Sequence, residues 1–355
     1  MANPKVTTPP DSDERRRLRE EQVAASVFTV GLLLAVILPT ILTLSTVREE
    51  EVRSAVMKHD ALANPTPYGY TVSLLIYLVP VATLVVWFYR SHPPGSFRRR
   101  ALHYTLLMLV PIGFALDFFL GNTFFMFPNQ GAVLGVYVPG FSFATGGWVW
   151  DLPIEEFIFY ASGFFAILLL YIWCNQVWVP AYGVSDHADP KQHPPYIVRI
   201  HWRSIYWGVA LFALALFYKK VLSPPEHRDG FPLYMMFLLL AAVVPGMLLH
   251  RCAAPFVNWR AFSVTLMWVL LTSLLWEATL ASPFGWWRYK DEWMMGLRVR
   301  AWADLPVEAV VLWLAVAYTT ISVFETVKVF IHMEAPTSTA LFGTQPSVAS
   351  PIRPA

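Results

Sequence analysis

Residues 151–174 read DLPIEEFIFYASGFFAILLLYIWC: an aspartate, a proline and two glutamates, followed by a long apolar run. Hydrocarbon about 30 Å thick is crossed by about 20 apolar residues in a helix. Leu152–Cys174 therefore predicts a membrane-spanning helix that begins on acids. Seven further runs of the same kind lie around it: Val23–Thr46, Gly69–Arg90, Ala101–Leu120, Ile205–Leu222, Phe231–Arg251, Ala261–Ser282 and Leu305–Phe330. Composition agrees, since 56% of the 355 residues are hydrophobic and 14% charged, against about a quarter charged in an ordinary soluble domain. The expected fold class is all-α, a polytopic integral membrane bundle of eight transmembrane helices.

The flanks differ in character. Residues 1–22, with Arg15, Arg16, Arg17 and Arg19 among several acids, read as a disordered N-terminal segment. The first apolar run is too long for a signal-peptide core and is read as retained. Residues 23–174 form a first membrane unit, 175–204 a linker, 205–333 a second membrane unit, and 334–355 a Pro-, Ser- and Thr-rich tail expected to be unstructured. Cys174 and Cys252, the two cysteines, imply no disulfide framework. With the N-terminus cytoplasmic, 16 Lys and Arg fall on the inner side and 10 on the outer. The positive-inside rule then places both termini in the cytoplasm, and the loop Gly121–Trp150, with no Lys or Arg, outside. The arginine-rich loop Gly95–Arg100 is expected to touch anionic lipid head groups. Nothing in the chain argues for nucleic acid.

The two units align. Arg100-Ala101 matches Arg260-Ala261, Thr105-Leu106 matches Thr265-Leu266, and Asp117 falls on Glu277, all at an offset of 160. After a gap the offset becomes 153, and DLPIEEF (Asp151–Phe157) lies over DLPVEAV (Asp304–Val310). Duplication is the economical explanation; an even number of helices per unit makes the repeats parallel, with corresponding loops on one face. In each motif the aspartate, Asp151 or Asp304, stands where a helix cap belongs, and Pro153 or Pro306 suits a first turn whose amides lack helical partners. Read alone, this is also simply a well-made helix start with acids at the positive end of the macrodipole. Capping leaves Glu155 and Glu308 unexplained, because four residues at 1.5 Å per residue put them about 6 Å inside. Glu156, Asp117 and Glu277 are expected at similar depth, so acids collect in one leaflet, where ionised groups are expensive and mostly functional. Arg288, Lys290, Arg298 and Arg300 stand near enough in sequence to neutralise some of them.

An acid near a helix end, the aromatic loop FGWWRYKDEWMMG (Phe284–Gly296), and then a PIEEF or PVEAV helix start resemble the membrane-bound lycopene cyclase family, with PIEEFIFY (Pro153–Tyr160) as the most specific piece. The likeness covers most of the second to fourth and sixth to eighth runs. Family repeats have three helices and often a double acid in both motifs; here each unit has an extra front helix, and the second copy reads Glu308-Ala309. The resemblance implies an enzyme of carotenoid biosynthesis, an intramolecular lyase or isomerase in the bacterial cytoplasmic membrane. It would cyclise the end of a linear carotenoid such as lycopene without net redox change. Such a hydrocarbon has no polar handle, so cyclisation starts by protonating a terminal double bond and ends by removing a different proton. A carboxyl in an apolar site beside other acids keeps its proton more readily. On that reading Glu155 and Glu308 are the acid/base pair, with Glu156, Asp117 and Glu277 tuning or relaying. Trp148, Trp150, Phe157, Tyr160, Trp286, Trp287, Tyr289 and Trp302 would line the substrate and steady a carbocation, though Trp and Tyr belts also collect at membrane interfaces.

The resemblance admits reduced flavin in a non-redox role and requires no metal. The family is commonly described as distantly related to membrane prenyltransferases, which makes prenyl transfer the enzymatic alternative and the one reading that calls for Mg²⁺. No GxGxxG follows a strand, and His103, His187, His193 and His201 form no di-iron box. The non-enzymatic alternative is a transporter or a carotenoid- or retinoid-binding protein. Lys328 invites a retinal Schiff base, yet its place near the far interface suits a snorkelling lysine. Paired helix breaks would mark a transporter, and Pro80 and Pro111 in one unit do not coincide with Pro245 in the other.

Overall fold

The computed structural model describes residues 66–143, 145–180, 183 and 194–343, together with Val27, Val30, Gly31 and Leu34, which are helical. Most of the expected span Val23–Thr46, the segment 1–22 and the last residues of the tail lie outside the described residues. Among those described, seven helices are long and apolar enough to cross a membrane: α1 Gly69–Ser91, α2 Phe97–Phe124, α3 Ile154–Trp178, α4 Trp202–Leu222, α5 Leu233–Ala253, α6 Trp259–Ala281 and α7 Glu308–Met333. They correspond to the second to eighth apolar runs, and they make the chain a multi-pass membrane helical bundle.

The two helices that follow the DLP motifs stand at the centre. Of their most apolar windows, α3 is 67% and α7 61% buried within the protein, against 17–44% for the other five. Helix α3 packs on α1, α2, α6 and α7, while α7 runs along α5 and also meets α2 and α6; α4 lies outermost, against α5. Small residues allow the close approach that helix packing in lipid relies on. Gly163 faces Trp313, whose ring carbon would stand 3.7 Å from an added Cβ, and Ala309, Ala315 and Ala317 are buried along α7. The outward faces keep large apolar side chains in the open, such as Leu107 and Ile112 on α2 and Trp207 and Leu214 on α4. On a soluble protein such a surface would aggregate, whereas hydrocarbon is its natural solvent.

Short strands join the loops at one end of the bundle. Strand β1 (Phe125–Met126), after α2, pairs antiparallel with β4 (Arg288–Tyr289), after α6. Strands β2 (Tyr137–Ser142) and β3 (Gly147–Pro153) form a hairpin leading into α3, and β5 (Arg298–Val299) and β6 (Leu305–Pro306) form one leading into α7. The C-terminal ends of α2 and α6 and the N-terminal ends of α3 and α7 thus meet under one cover. Asn129 and Trp286 tie it to the segment before α1: the Asn129 amide donates to Thr66 Oγ1 at 3.3 Å, and the Trp286 indole donates to the same atom at 3.0 Å.

Two expectations about the flanks are corrected. The tail includes a helix, α8 (Thr337–Phe342), and the Ala340 and Leu341 carbonyls accept the Ile197 and Val198 amides. The end of the linker, residues 197–201, therefore serves as a strap whose Arg199 and His201 amides also bond to the Leu248 and Met247 carbonyls on α5. Lys328 does not snorkel: it is 3% exposed and pairs at 2.9 Å with Glu325, whose other oxygen accepts the Tyr171 hydroxyl. The three groups satisfy one another deep in the bundle, which is how a membrane core tolerates charge.

Candidate active site

The DLP motifs enter their helices differently from a capped start. Leu152 and Leu305 are extended and buried, each in the last strand of a hairpin, and Pro153 pairs with Tyr137 as Pro306 does with Arg298. A residue before proline is pushed out of the helical region, so the strand continues through the leucine and the helix begins after the proline. Asp151 and Asp304 are therefore not caps: both are exposed, no side chain caps either helix, and Asp304 takes a left-handed φ of 56°. Val307, rather than Asp304 or Pro306, holds the cap position of α7, and Pro153 that of α3. Glu155, Glu156 and Glu308 consequently sit in the first helical turn and not a turn inside.

All five predicted acids are buried: Glu155 and Glu308 are 0% exposed, Glu277 3%, Asp117 4% and Glu156 6%. They divide into two kinds. Glu155 Oε1 accepts the Leu134 amide at 2.7 Å and the Thr71 hydroxyl at 2.5 Å. Glu308 Oε1 accepts the Met295 amide at 2.5 Å. The first glutamate of each motif thus latches the loop that precedes its helix, through a backbone N–H in both cases. They share no partner, and of the five acids only Asp117 lines one of the interior cavities described below. The expected Glu155–Glu308 pair does not form; each is occupied with its own loop. Glu308 also has cationic neighbours, Arg298 and the fully buried Lys219, whose ammonium donates to the Asp291 and Met294 carbonyls.

The second kind consists of Asp117 on α2, Glu156 on α3 and Glu277 at the end of α6. These three converge. Glu156 lies within electrostatic reach of Asp117 and Glu277, as well as of its neighbour Glu155, and the Tyr160 phenol within reach of Asp117, Glu156 and Glu277. Among the described residues none of them forms an ion pair. The nearby bases are occupied elsewhere: Lys290 donates to the Asn122 carbonyl at 2.5 Å, and Arg298 bonds to Asp291 and to the Asp304 carbonyl. Phenols hold the carboxyls instead. Tyr70 donates to Glu156 at 2.5 Å and Tyr289 to Glu277 at 2.7 Å. Burial beside Glu277 keeps the Tyr289 phenol protonated, its pKa well above the usual value. Glu277 opens a π-turn, Glu277–Ala281, an irregularity frequent at functional sites. Gly121 is required beside Asp117, because a Cβ there would stand 2.6 Å from Asp117 Oδ1.

The aromatic residues separate in the same way. Trp286, Trp287 and Phe157 are buried, and Tyr160 and Tyr289 partly so. Tyr70 stacks on Trp286 at 6.2 Å and meets Trp287 at 5.1 Å, while Trp276 meets Trp287 at 4.6 Å. Phe157 packs instead between Phe114 and Phe118. Trp148, Trp150 and Trp302 are 54%, 70% and 41% exposed, so they do not line the acids and belong to the aromatic belt at the membrane boundary. Tyr70, Trp276 and Tyr234 were not singled out by the sequence. Neither Tyr70 nor Tyr234 stands in a motif, and 15 tyrosines are scattered along the chain.

Beside the acids an apolar cavity of about 420 Å³ runs between α2, α5 and α7. Asp117, Gly121, Tyr160 and Tyr234 line it at one end, and Met108, Val244 and Val323 at the other. Ile112, Leu240 and Val244 on its rim are more than 40% exposed on the bundle surface, so it opens sideways toward lipid. A smaller cavity of about 90 Å³ lies on the opposite flank of α3, lined by Tyr77, Trp268 and Trp313. Neither lining carries a basic side chain to hold a flavin phosphate. Nor do three His, Cys, Asp or Glu side chains group as a metal site among the described residues. Comparisons with protein families, curated proteins and solved structures find no match to this chain.

Proposed function

We propose that this chain is an intramembrane acid/base enzyme of the lycopene cyclase type, closing a ring at the end of a linear carotenoid without net redox change. One observation carries the reading. Three buried carboxyls from three helices, none paired with a base among the described residues, cluster beside an apolar cavity that opens to lipid, and one of them, Asp117, lines it.

A protonated carboxyl gives its proton to the terminal double bond. The nearby double bond attacks the resulting cation, so one carbon–carbon bond forms as two double bonds are consumed. A carboxylate of the same group then removes a different proton and one double bond returns, leaving an isomer of the starting polyene. Glu156, Asp117 and Glu277 are the donor and acceptor set. Tyr70 and Tyr289 keep Glu156 and Glu277 in place, and aromatic rings that line the cavity, Tyr160 and Phe124 among them, attract the cation, at about 0.5–2 kcal/mol each. Prenyl transfer fits the cavity less well, because carboxyls without a basic neighbour repel a diphosphate.

Two sequence-related halves of four helices belong to the same proposal, with Val23–Thr46 as the front helix of the first and both termini cytoplasmic. The matched positions support it: Ala101 with Ala261 and Thr105 with Thr265 are all fully buried, and Glu155 and Glu308 latch corresponding loops. The test is expression in a lycopene-accumulating bacterium with chromatography of the pigments. New cyclic carotenes are expected; unchanged lycopene beside a folded, membrane-inserted protein would overturn the proposal.

A further inference from the structure

Three residues that line the larger cavity carry a buried polar atom with no hydrogen-bond partner among the described residues: Asp117, Tyr234 and, farther along α7, Thr320. Asp117 Oδ2 and the Tyr234 hydroxyl are both buried and unmet, on residues 4% and 1% exposed, and both residues line the same space. They come from different helices, α2 and α5. They are near enough to interact electrostatically yet make no bond to each other. Nearly all the remaining lining is hydrocarbon. Buried polar groups in native proteins are almost always satisfied, so a pair left open toward one cavity marks the group that completes them.

We infer that this cavity takes an isoprenoid whose end carries a hydroxyl. The Tyr234 phenol donates to the alcohol oxygen, and the alcohol O–H donates to Asp117 Oδ2. A hydroxyl is the small neutral group that accepts and donates at once. A carboxylate or diphosphate would meet Asp117 with no basic side chain in the lining to offset the repulsion, and a plain hydrocarbon would leave both atoms unmet. The inference rests on the isoprenoid reading of the site and adds the end group to it, with lycopene, which lacks the hydroxyl, the more weakly held substrate. Tyr234 is then a specificity-determining residue.

The test uses the full chain in lipid nanodiscs and two probes, the isoprenoid alcohol geranylgeraniol and the counterpart hydrocarbon lacking the oxygen, with binding read by native mass spectrometry. The alcohol should bind at least about tenfold more tightly, the effect of one or two well-made hydrogen bonds. In Tyr234→Phe, a change that removes only an unmet hydroxyl and leaves the ring packing on Phe124, the alcohol should fall toward the hydrocarbon while the hydrocarbon is unchanged. Equal affinity of the two probes in the unmodified protein would overturn the inference, with ordered water then completing the pair. That outcome would leave the acid/base reading standing, since pigment formation and its loss in Glu156→Gln are measured separately. Binding of neither probe would overturn both.

Discussion

Replacing Glu156 by glutamine separates the chemistry from the architecture. The Tyr70 hydroxyl donates to Glu156 Oε1 at 2.5 Å in a fully buried setting, and a glutamine keeps that acceptor oxygen, so packing and folding should change little. What disappears is the titratable proton. A positioned general acid or base contributes about 10²–10⁴-fold, or about 3–5 kcal/mol of barrier at 1.36 kcal/mol per decade. Cyclic carotene formation by Glu156→Gln in lycopene-accumulating cells should fall by that factor, with protein level and melting temperature near those of the parent. Glu155→Gln is the control, being the adjacent residue with the same chemical change. Its Oε1 still accepts from Leu134 and Thr71, so the latch survives and activity should drop by less than about tenfold. The comparison is made at matched protein amount, with pigments quantified by chromatography. If Glu155→Gln abolishes turnover while Glu156→Gln retains it, the separation of latch from proton-transfer residue is wrong.

Gly121→Ala places a Cβ 2.6 Å from Asp117 Oδ1 and 3.0 Å from Leu152; a loss of about 1–3 kcal/mol, together with reduced activity, should show in thermal unfolding and pigment yield. Lys328→Met leaves the Glu325 carboxylate buried without its ammonium and should cost about 3–5 kcal/mol, while Lys328→Met with Glu325→Gln should recover most of it; urea or detergent unfolding of the single and double variants checks this. Met295 is held to Glu308 through its amide, so Glu308→Ala should loosen the loop 291–297 and raise its amide hydrogen exchange, whereas Glu308→Gln should not. Burial, with Arg251 and Arg203 nearby, lowers the His201 pKa in the folded protein, so protons bind the unfolded chain more readily. Stability should then be intact above the unfolded value of about 6.5 and should decline as pH falls through it, and His201→Gln should flatten the decline in melting temperature between about pH 7.5 and 5.5.

The apolar runs alone place seven of the expected spans close to where the helices stand, because a helix long enough to cross hydrocarbon must be apolar for its whole length, and that property is local. The same holds for the acids near helix ends: Asp117, Glu155, Glu156, Glu277 and Glu308 were all legible as polar groups in apolar surroundings, and all are buried. Which of them act together was not legible. The repeat suggested equivalent partners, Glu155 with Glu308, but equivalence in sequence is not proximity. Each is captured by a backbone amide of its own loop, Leu134 or Met295, at 2.7 and 2.5 Å. The cluster forms instead where the second motif has Ala309 and the first has Glu156, so it depends on a position at which the halves differ. Tyr70 and Tyr234 reach the acids only because α1 and α5 pack against the central pair, and Trp148, Trp150 and Trp302 are turned away by strands whose register no local pattern announces. Periodicity and hydropathy are properties of neighbouring residues in the chain, whereas hydrogen-bond partners 86 residues apart, such as Tyr70 and Glu156, exist only once the helices have packed.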